Sequence, residues 1–204
     1  MMTFDYSGYW NSHALAVGHR TAVTPLSEEE YTALHRDVVK QLGPPKVQKM
    51  LDYGCGPALL LPIVREIWGE DTKYFGVDIS QEMVEYCWDH AKSDMRAWFY
   101  NSKGSPMDYC PESYFDFLTC HSVFTHLALA DAIALLKELH RFLIPGGTAS
   151  ISILDEPLGD ANFQGCLERC DYNRRFFEGM LVQAGFSIEK TYRKHQHYFG
   201  VRKV

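Results

Sequence analysis

Apolar positions along this 204-residue chain follow two rhythms, and from residue 46 onward the two alternate. Ahead of that point, Leu34, Val38 and Leu42 recur at i, i+4 and i+8, one face of a helix. Ser27 opens that helix with Glu30 three positions on, the spacing of a capping box in which hydroxyl and carboxylate satisfy free N–H groups. Gly43-Pro44-Pro45 stops it. Short apolar runs then predict strands over Val47–Tyr53, Lys73–Ile79, Arg96–Asn101, Phe115–Cys120 and Thr148–Leu154. Helices are predicted between them: Pro57–Trp68, a Ser80-capped stretch to about Lys92, and the stripe Ala132, Leu135, Leu136, Leu139, Phe142, Leu143. Pro57 suits a first helical turn, whereas Pro62 should bend its helix or end the first part. Pro145-Gly146-Gly147 separates the striped helix from the next strand. A helix over Asn173–Ala184, stopped by Gly185, leads to two last strands, Phe186–Tyr192 and His197–Val201. Their joint at Lys194–Gln196 is too short for a crossover helix, so they should pair antiparallel.

Seven strands alternating with helices predict a doubly wound α/β sheet, mostly parallel, with helices on both faces. The chain divides into an N-terminal segment, 1–45, and one α/β domain, 46–204. Ligands of such sheets bind at the carboxyl ends of the strands. The loops to inspect are therefore those after Tyr53, Ile79, Asn101 and Cys120.

Composition narrows the partners. A net charge of -6, with only short basic clusters, disfavours a nucleic-acid surface. No run of about 18 apolar residues is present, so no membrane span is expected. Met1–Trp10 lacks the pattern of a signal peptide, which suggests a cytoplasmic protein. Six cysteines occur without a CxxC pair. Reduced, packed thiols are expected, and no metal site is, Cys166-x3-Cys170 having no second pair to complete one.

The chemistry concentrates in Leu51-Asp52-Tyr53-Gly54-Cys55-Gly56-Pro57, a glycine turn that follows a strand and opens a helix. Glycines there let a ligand approach the backbone. A pyrophosphate-binding turn would carry a third glycine, but Leu59 stands at that position. Asp78 closes the next strand in Gly76-Val77-Asp78-Ile79-Ser80. A carboxylate at that place accepts the hydroxyls of a ribose.

These two motifs resemble those of the class I S-adenosylmethionine-dependent methyltransferases. So do Phe115-Asp116-Phe117-Leu118 with His121–Leu127, Leu136–Gly147, and Gln183-Ala184-Gly185-Phe186; together they cover about 46–204. The resemblance implies a Rossmann-like methyltransferase fold with strand order 3-2-1-4-5-7-6, strand 7 antiparallel. It implies S-adenosylmethionine as cofactor and a small-molecule methyl acceptor, in keeping with a charge that disfavours nucleic acid and the lack of a membrane span. Asp52 supplies the acid of the first motif. Gly54, Cys55 and Gly56 would border the methionine part, Asp78 the ribose, Ile79 and Met83 the adenine. Asn101 and Ser102 occupy the place that commonly meets the adenine amino group. His121 matches a backbone contact to the methionine amine and is also the candidate base, since a hydroxyl or amine acceptor must lose a proton. In related enzymes the N-terminal segment closes over the cofactor, which would bring in Tyr9 and Trp10 and set Arg20 against the methionine carboxylate. His126 is read as packing on, or capping, the next helix. His195 and His197 are read as rim packing on one face.

Two rival readings stand beside this one. A nicotinamide-dependent oxidoreductase is opposed by the absent third glycine. A member that binds cofactor without turnover is compatible with the same motifs.

Overall fold

Alternate residues of the central strands point into two separate apolar layers, and that alternation builds the molecule. Met50 and Phe117 belong to one buried cluster with Leu61, Val64, Val84 and Cys87. Their neighbours Leu51 and Leu118 belong to the other, with Leu136, Leu139, Phe142 and Leu181. A strand that sends successive side chains to opposite faces, both covered, belongs in the middle of a parallel sheet. A computed structural model describes residues 5–19, 26–102, 111–156, 158, 161–165 and 168–204.

In chain order the elements are α1 (Tyr6–Val17), α2 (Glu28–Leu42), β1 (Lys49–Tyr53), α3 (Leu61–Trp68), β2 (Lys73–Asp78), α4 (Gln81–His90), β3 (Ala97–Asn101) and β4 (Phe115–Cys120). A 3-10 turn over Phe124–His126 precedes α5 (Leu129–Phe142), β5 (Leu143–Ile153), β6 (Phe163–Gly165), β7 (Cys170–Tyr172), α6 (Arg174–Gln183), β8 (Phe186–Arg193) and β9 (His197–Lys203). The main sheet runs β3-β2-β1-β4-β5-β9-β8. Strands β1 to β5 are parallel, and β9 is antiparallel to β5 and to β8. Counting only this sheet, the order is the 3-2-1-4-5-7-6 expected from the sequence, with the seventh strand reversed.

Several local expectations are corrected. The stretch from Pro57 is not one bent helix. It runs through turns, with Ala58 in the left-handed region at φ 55°, and helix begins only at Leu61. Pro62 lies in the first turn, where its missing N–H leaves no bond unmade. Pro145-Gly146-Gly147 does not separate helix from strand. It lies inside β5 as a bulge, where the register to β4 shifts between Phe115 and Phe117. The connection before α6 contains a small hairpin, β6 with β7, which its polar composition did not announce.

The segment before β1 forms two helices rather than one. Asp5 caps α1, its side chain accepting from Gly8 N, and the expected capping box of Ser27 and Glu30 opens α2. Helix α1 docks on α4: Ala14 packs on Met83, and Asn11 Oδ1 accepts from the Ser80 hydroxyl at 2.8 Å. Helix α2 presents Val38 and Leu42 to Tyr198 of β9, and Val39 to Leu60 and Ile63. Cys55, Cys87, Cys120 and Cys170 are buried free thiols, while Cys110 and Cys166 lie outside the described residues. Among the described residues no helix is long and apolar enough to cross a membrane.

Candidate functional site

The glycine turn is shaped by contacts that only glycine tolerates. Gly54 has φ 76° and Gly56 φ 49°. A Cβ on Gly54 would lie 2.2 Å from Val123 Cγ2, so the loop after β4 closes directly on this turn. Gly54 N and Cys55 N both donate to Val77 O, at 2.7 and 3.0 Å, bending the chain back over the end of β2. The turn does not run straight into a helix, because Pro57–Leu60 intervene. Two local bonds shape this stretch: Ala58 N donates to Cys55 O and Leu61 N to Ala58 O.

Asp78 ties the turn to the next loop. Its Oδ2 accepts from Gly56 N and its Oδ1 from Ser80 N, each at 2.9 Å. Burial raises its carboxyl above the ordinary range, and the backbone donors at Ser80, Gly56 and Ile79 oppose that rise. A carboxylate has about four lone-pair positions, so these backbone donors do not exhaust its capacity to accept.

Beneath the turn lies Asp52, 3 % exposed. Thr119 Oγ1 donates to its Oδ1 at 2.8 Å, and the Tyr74 hydroxyl donates to its Oδ2. Burial pushes Asp52 up to about 6 against those two hydrogen bonds, with the Asp78 charge adding to the rise.

A cavity of about 370 Å³ opens at the carboxyl ends of β1, β2 and β4. It unites most residues singled out in the sequence: Trp10, Asp52, Gly54, Cys55, Gly56, Asp78, Ile79, Met83, Ser102 and His121. Two others stand off its wall. Asn101 clamps the β2 loop, its Nδ2 donating to Ile79 O at 3.0 Å, and Tyr9 stacks on His13. Arg20 lies outside the described residues.

His121 is 8 % exposed, with Nε2 at 2.8 Å from Ser150 Oγ. Its Nδ1 is buried and has no partner. Burial first, then the neighbouring His35 and His195, holds it well below the ordinary imidazole range. The adjoining loop is braced from β9: Gln196 Nε2 donates to Ser122 Oγ, Ser152 Oγ to Gln196 Oε1, and Ser122 N to Ser152 Oγ. Ser122 sits in the left-handed region at φ 57° within this network. His126 lines the cavity edge-on to Trp10 of α1, ring centroids 4.8 Å apart. The His195/His197 pair does not share a face, because β9 starts at His197. His197 is buried, with Nδ1 3.4 Å from Asp155, whereas His195 is exposed.

The sequence reading missed one wall, Tyr31 and His35 of α2, which line the cavity. Tyr6, an N-terminal aromatic expected with Tyr9 and Trp10 to close over the cofactor, lines it from α1. Tyr31 and His35 are spaced i, i+4, directly beside the Leu34–Val38–Leu42 stripe, so a second and polar stripe was present to be read. The Tyr6 hydroxyl donates to Asp131 Oδ2 at 2.8 Å and accepts from Ala128 N at 3.1 Å. No lysine or arginine lines the cavity among the described residues, whereas Asp52, Asp78, Asp131 and Glu138 do. No group of residues suited to a metal ion occurs among the described residues either.

Comparison with known proteins agrees with this geometry. Residues 50–147 match the family model of a methyltransferase domain. Demethylmenaquinone methyltransferase of Geobacillus stearothermophilus is 27% identical over 126 residues, covering 60% of this chain and 52% of that protein. Trans-aconitate 2-methyltransferase of Azoarcus sp. is 29% identical over 140 residues, covering 63% and 49%. The chain thus spans about half the length of these curated relatives. A SAM-dependent methyltransferase structure from Aquifex aeolicus superposes with a TM-score of 0.71 at 20% identity, covering 99% of this chain and 100% of that one. At that identity the likeness is one of fold.

Proposed function

We infer the function from one premise: the chain belongs to the class I S-adenosylmethionine-dependent methyltransferase family. On it we propose that the protein transfers a methyl group from S-adenosylmethionine to a small molecule held in the cavity. The observation that carries this reading is Asp78, which braces the glycine turn through Gly56 N, lines the cavity and keeps acceptor capacity for a sugar hydroxyl. The cavity supplies the other features such a group needs. Ile79 and Met83 offer apolar surface, Ser102 a hydroxyl, and Gly54, Cys55 and Gly56 an approachable backbone. When bound, the cofactor supplies an electrophilic methyl on a sulfonium.

The chain's own part is to bind, orient and exclude water. Asp78 holds the ribose hydroxyls. Ile79 and Met83 flank the adenine, with Ser102 near its amino group and Asn101 fixing that loop. His121 lies on the β4 loop, whose Val123 closes on Gly54. Trp10, with Tyr9 behind it, closes the cavity from α1, so α1 and α2 of the N-terminal segment, 1–45, act as a cap over the domain of residues 46–204. His121, neutral at pH 7, lies on the side of the cavity where a hydroxyl or amine acceptor must lose a proton.

Calorimetric titration with S-adenosylhomocysteine tests the reading. Asp78→Ala removes two charge-assisted hydrogen bonds and should weaken affinity by at least about tenfold. Unchanged affinity overturns the reading, as does NAD binding in preference to the nucleoside. Production of S-adenosylhomocysteine from S-adenosylmethionine with a metabolite extract separates turnover from mere cofactor binding.

A further inference from the structure

Resting on that reading, we propose that the wall formed by Tyr31, His35 and His121 selects an uncharged, ring-bearing acceptor. Its O–H or N–H donates to His35 Nε2, and carboxylate-bearing acceptors are refused.

The tautomer of His35 follows from its neighbour. His35 Nδ1 lies 3.1 Å from the carbonyl oxygen of Tyr31. A carbonyl only accepts, so Nδ1 carries the proton and Nε2 presents a lone pair. Nothing among the described residues bonds to Nε2, although the residue is 4 % exposed and lines the cavity.

Flat faces surround this lone pair. Tyr31 stacks on His35 with centroids 3.8 Å apart at 19°, and His35 lies 5.4 Å from the His121 ring. Aromatic walls of this kind favour a planar guest through stacked and edge contacts. The same corner holds buried polar atoms without partners, His121 Nδ1 and the hydroxyl of Tyr198, whose rings lie 5.2 Å apart. Buried polar atoms in native proteins ordinarily find partners, and of these two residues His121 lines the cavity, where a guest can supply one.

Charge excludes the other class of guest. Burial brings His35 down to about 4, the Tyr31 carbonyl opposing and His195 adding, and His121 also lies well below its ordinary value. Both rings are therefore neutral at pH 7. Four acids and no described cation line the cavity. A carboxylate placed against this wall loses its hydration and meets no cation among the described residues, a costly arrangement. This sets the chain apart from the trans-aconitate enzyme it resembles, whose named substrate is an acid.

The test uses the full chain loaded with S-adenosylhomocysteine and two probes of one shape, 4-methylphenol and 4-methylbenzoate, with trans-aconitate as a third. Binding is read by ligand-observed NMR and does not depend on turnover. We expect 4-methylphenol to bind and both carboxylates to fail. His35→Leu should weaken the phenol by about five- to tenfold, the value of one hydrogen bond, while His35→Gln, which keeps an acceptor, retains most of the affinity. S-adenosylhomocysteine affinity should be unchanged in both variants. A carboxylate that binds as well as the phenol overturns the proposal. So does a phenol that is indifferent to His35→Leu, or one that fails to bind at millimolar concentration. If His35→Leu does not fold, the paired probes on the unaltered chain still decide. Failure of S-adenosylhomocysteine to bind the unaltered chain strikes the methyltransferase reading instead, whereas normal nucleoside binding with the wrong probe preference strikes this proposal alone.

Discussion

Around the glycine turn the polar groups are paired within the chain, whereas along the α2 wall several wait for a partner. At the turn, Gly54 N and Cys55 N share Val77 O, Gly56 N and Ser80 N share Asp78, and Tyr74 and Thr119 share Asp52. On the α2 side, His35 Nε2 meets nothing described, and His121 Nδ1 and the Tyr198 hydroxyl are unpartnered. A closed hydrogen-bond network fixes a shape before any ligand arrives, which suits a region that grips one invariant group. An open one leaves the ligand to complete it, which suits a region that discriminates among guests. The contrast also sorts the strain: Gly54, Gly56, Ala58 and Ser122 hold positive φ on the paired side or the loop that touches it.

Three perturbations bear on this contrast. The largest effect is expected from Gly54→Ala, which adds a Cβ 2.2 Å from Val123 Cγ2 at φ 76°. Left-handed backbone and overpacking each cost about 1–3 kcal/mol, so urea denaturation should show a loss of roughly 2–4 kcal/mol. Adding Val123→Ala should recover the packing part. A loss under about 0.5 kcal/mol would mean that the turn is pliant, not fixed.

The second concerns Asp52, whose carboxyl rises in the fold to about 6. A carboxyl raised by folding is protonated in the native state while already ionised in the unfolded chain. Its contribution is therefore favourable at low pH and is lost as pH climbs from about 4 through 6, amounting to roughly 2–3 kcal/mol. Comparing stability against pH for the unaltered chain and Asp52→Asn should isolate this decline in the former. Parallel curves would show that Asp52 is not desolvated under the turn.

The smallest effect is expected from Asn11→Ala, which removes the acceptor for the Ser80 hydroxyl and for Glu82 N. Global stability should fall by about 1 kcal/mol or less, while protease cleavage within α1 speeds up severalfold. Unaltered cleavage would show that Ala14 and Tyr6 alone hold the cap down.

Much of the paired side was legible in the sequence because its signals are local. The string Asp52–Gly56 and the acid at Asp78 sit at fixed distances from strand ends that apolar runs already mark. The other side was hidden because it is assembled from distant stretches. Leu34, Val38 and Leu42 claimed the reading of α2, so the adjacent Tyr31–His35 pair went unremarked. Helix α1 buries only Ser7 and Ala14 among its described residues and shows no apolar stripe. Hairpin β6–β7 is only three residues a strand, too short to alternate visibly. The Pro57–Leu60 turns were mistaken for helix because proline tolerance at a helix start fitted both Pro57 and Pro62, and the left-handed Ala58 has no sequence signature.

Reversal of the final strand has a practical corollary. Because β9 runs against β5, His197 pairs with Ile153 at the rim that bears the crevice, and the chain then travels away from it. Val204 emerges at the opposite rim, 78 % exposed. A dye, affinity handle or surface tether attached there projects from the back of the sheet, so an immobilised molecule keeps its mouth open to solution.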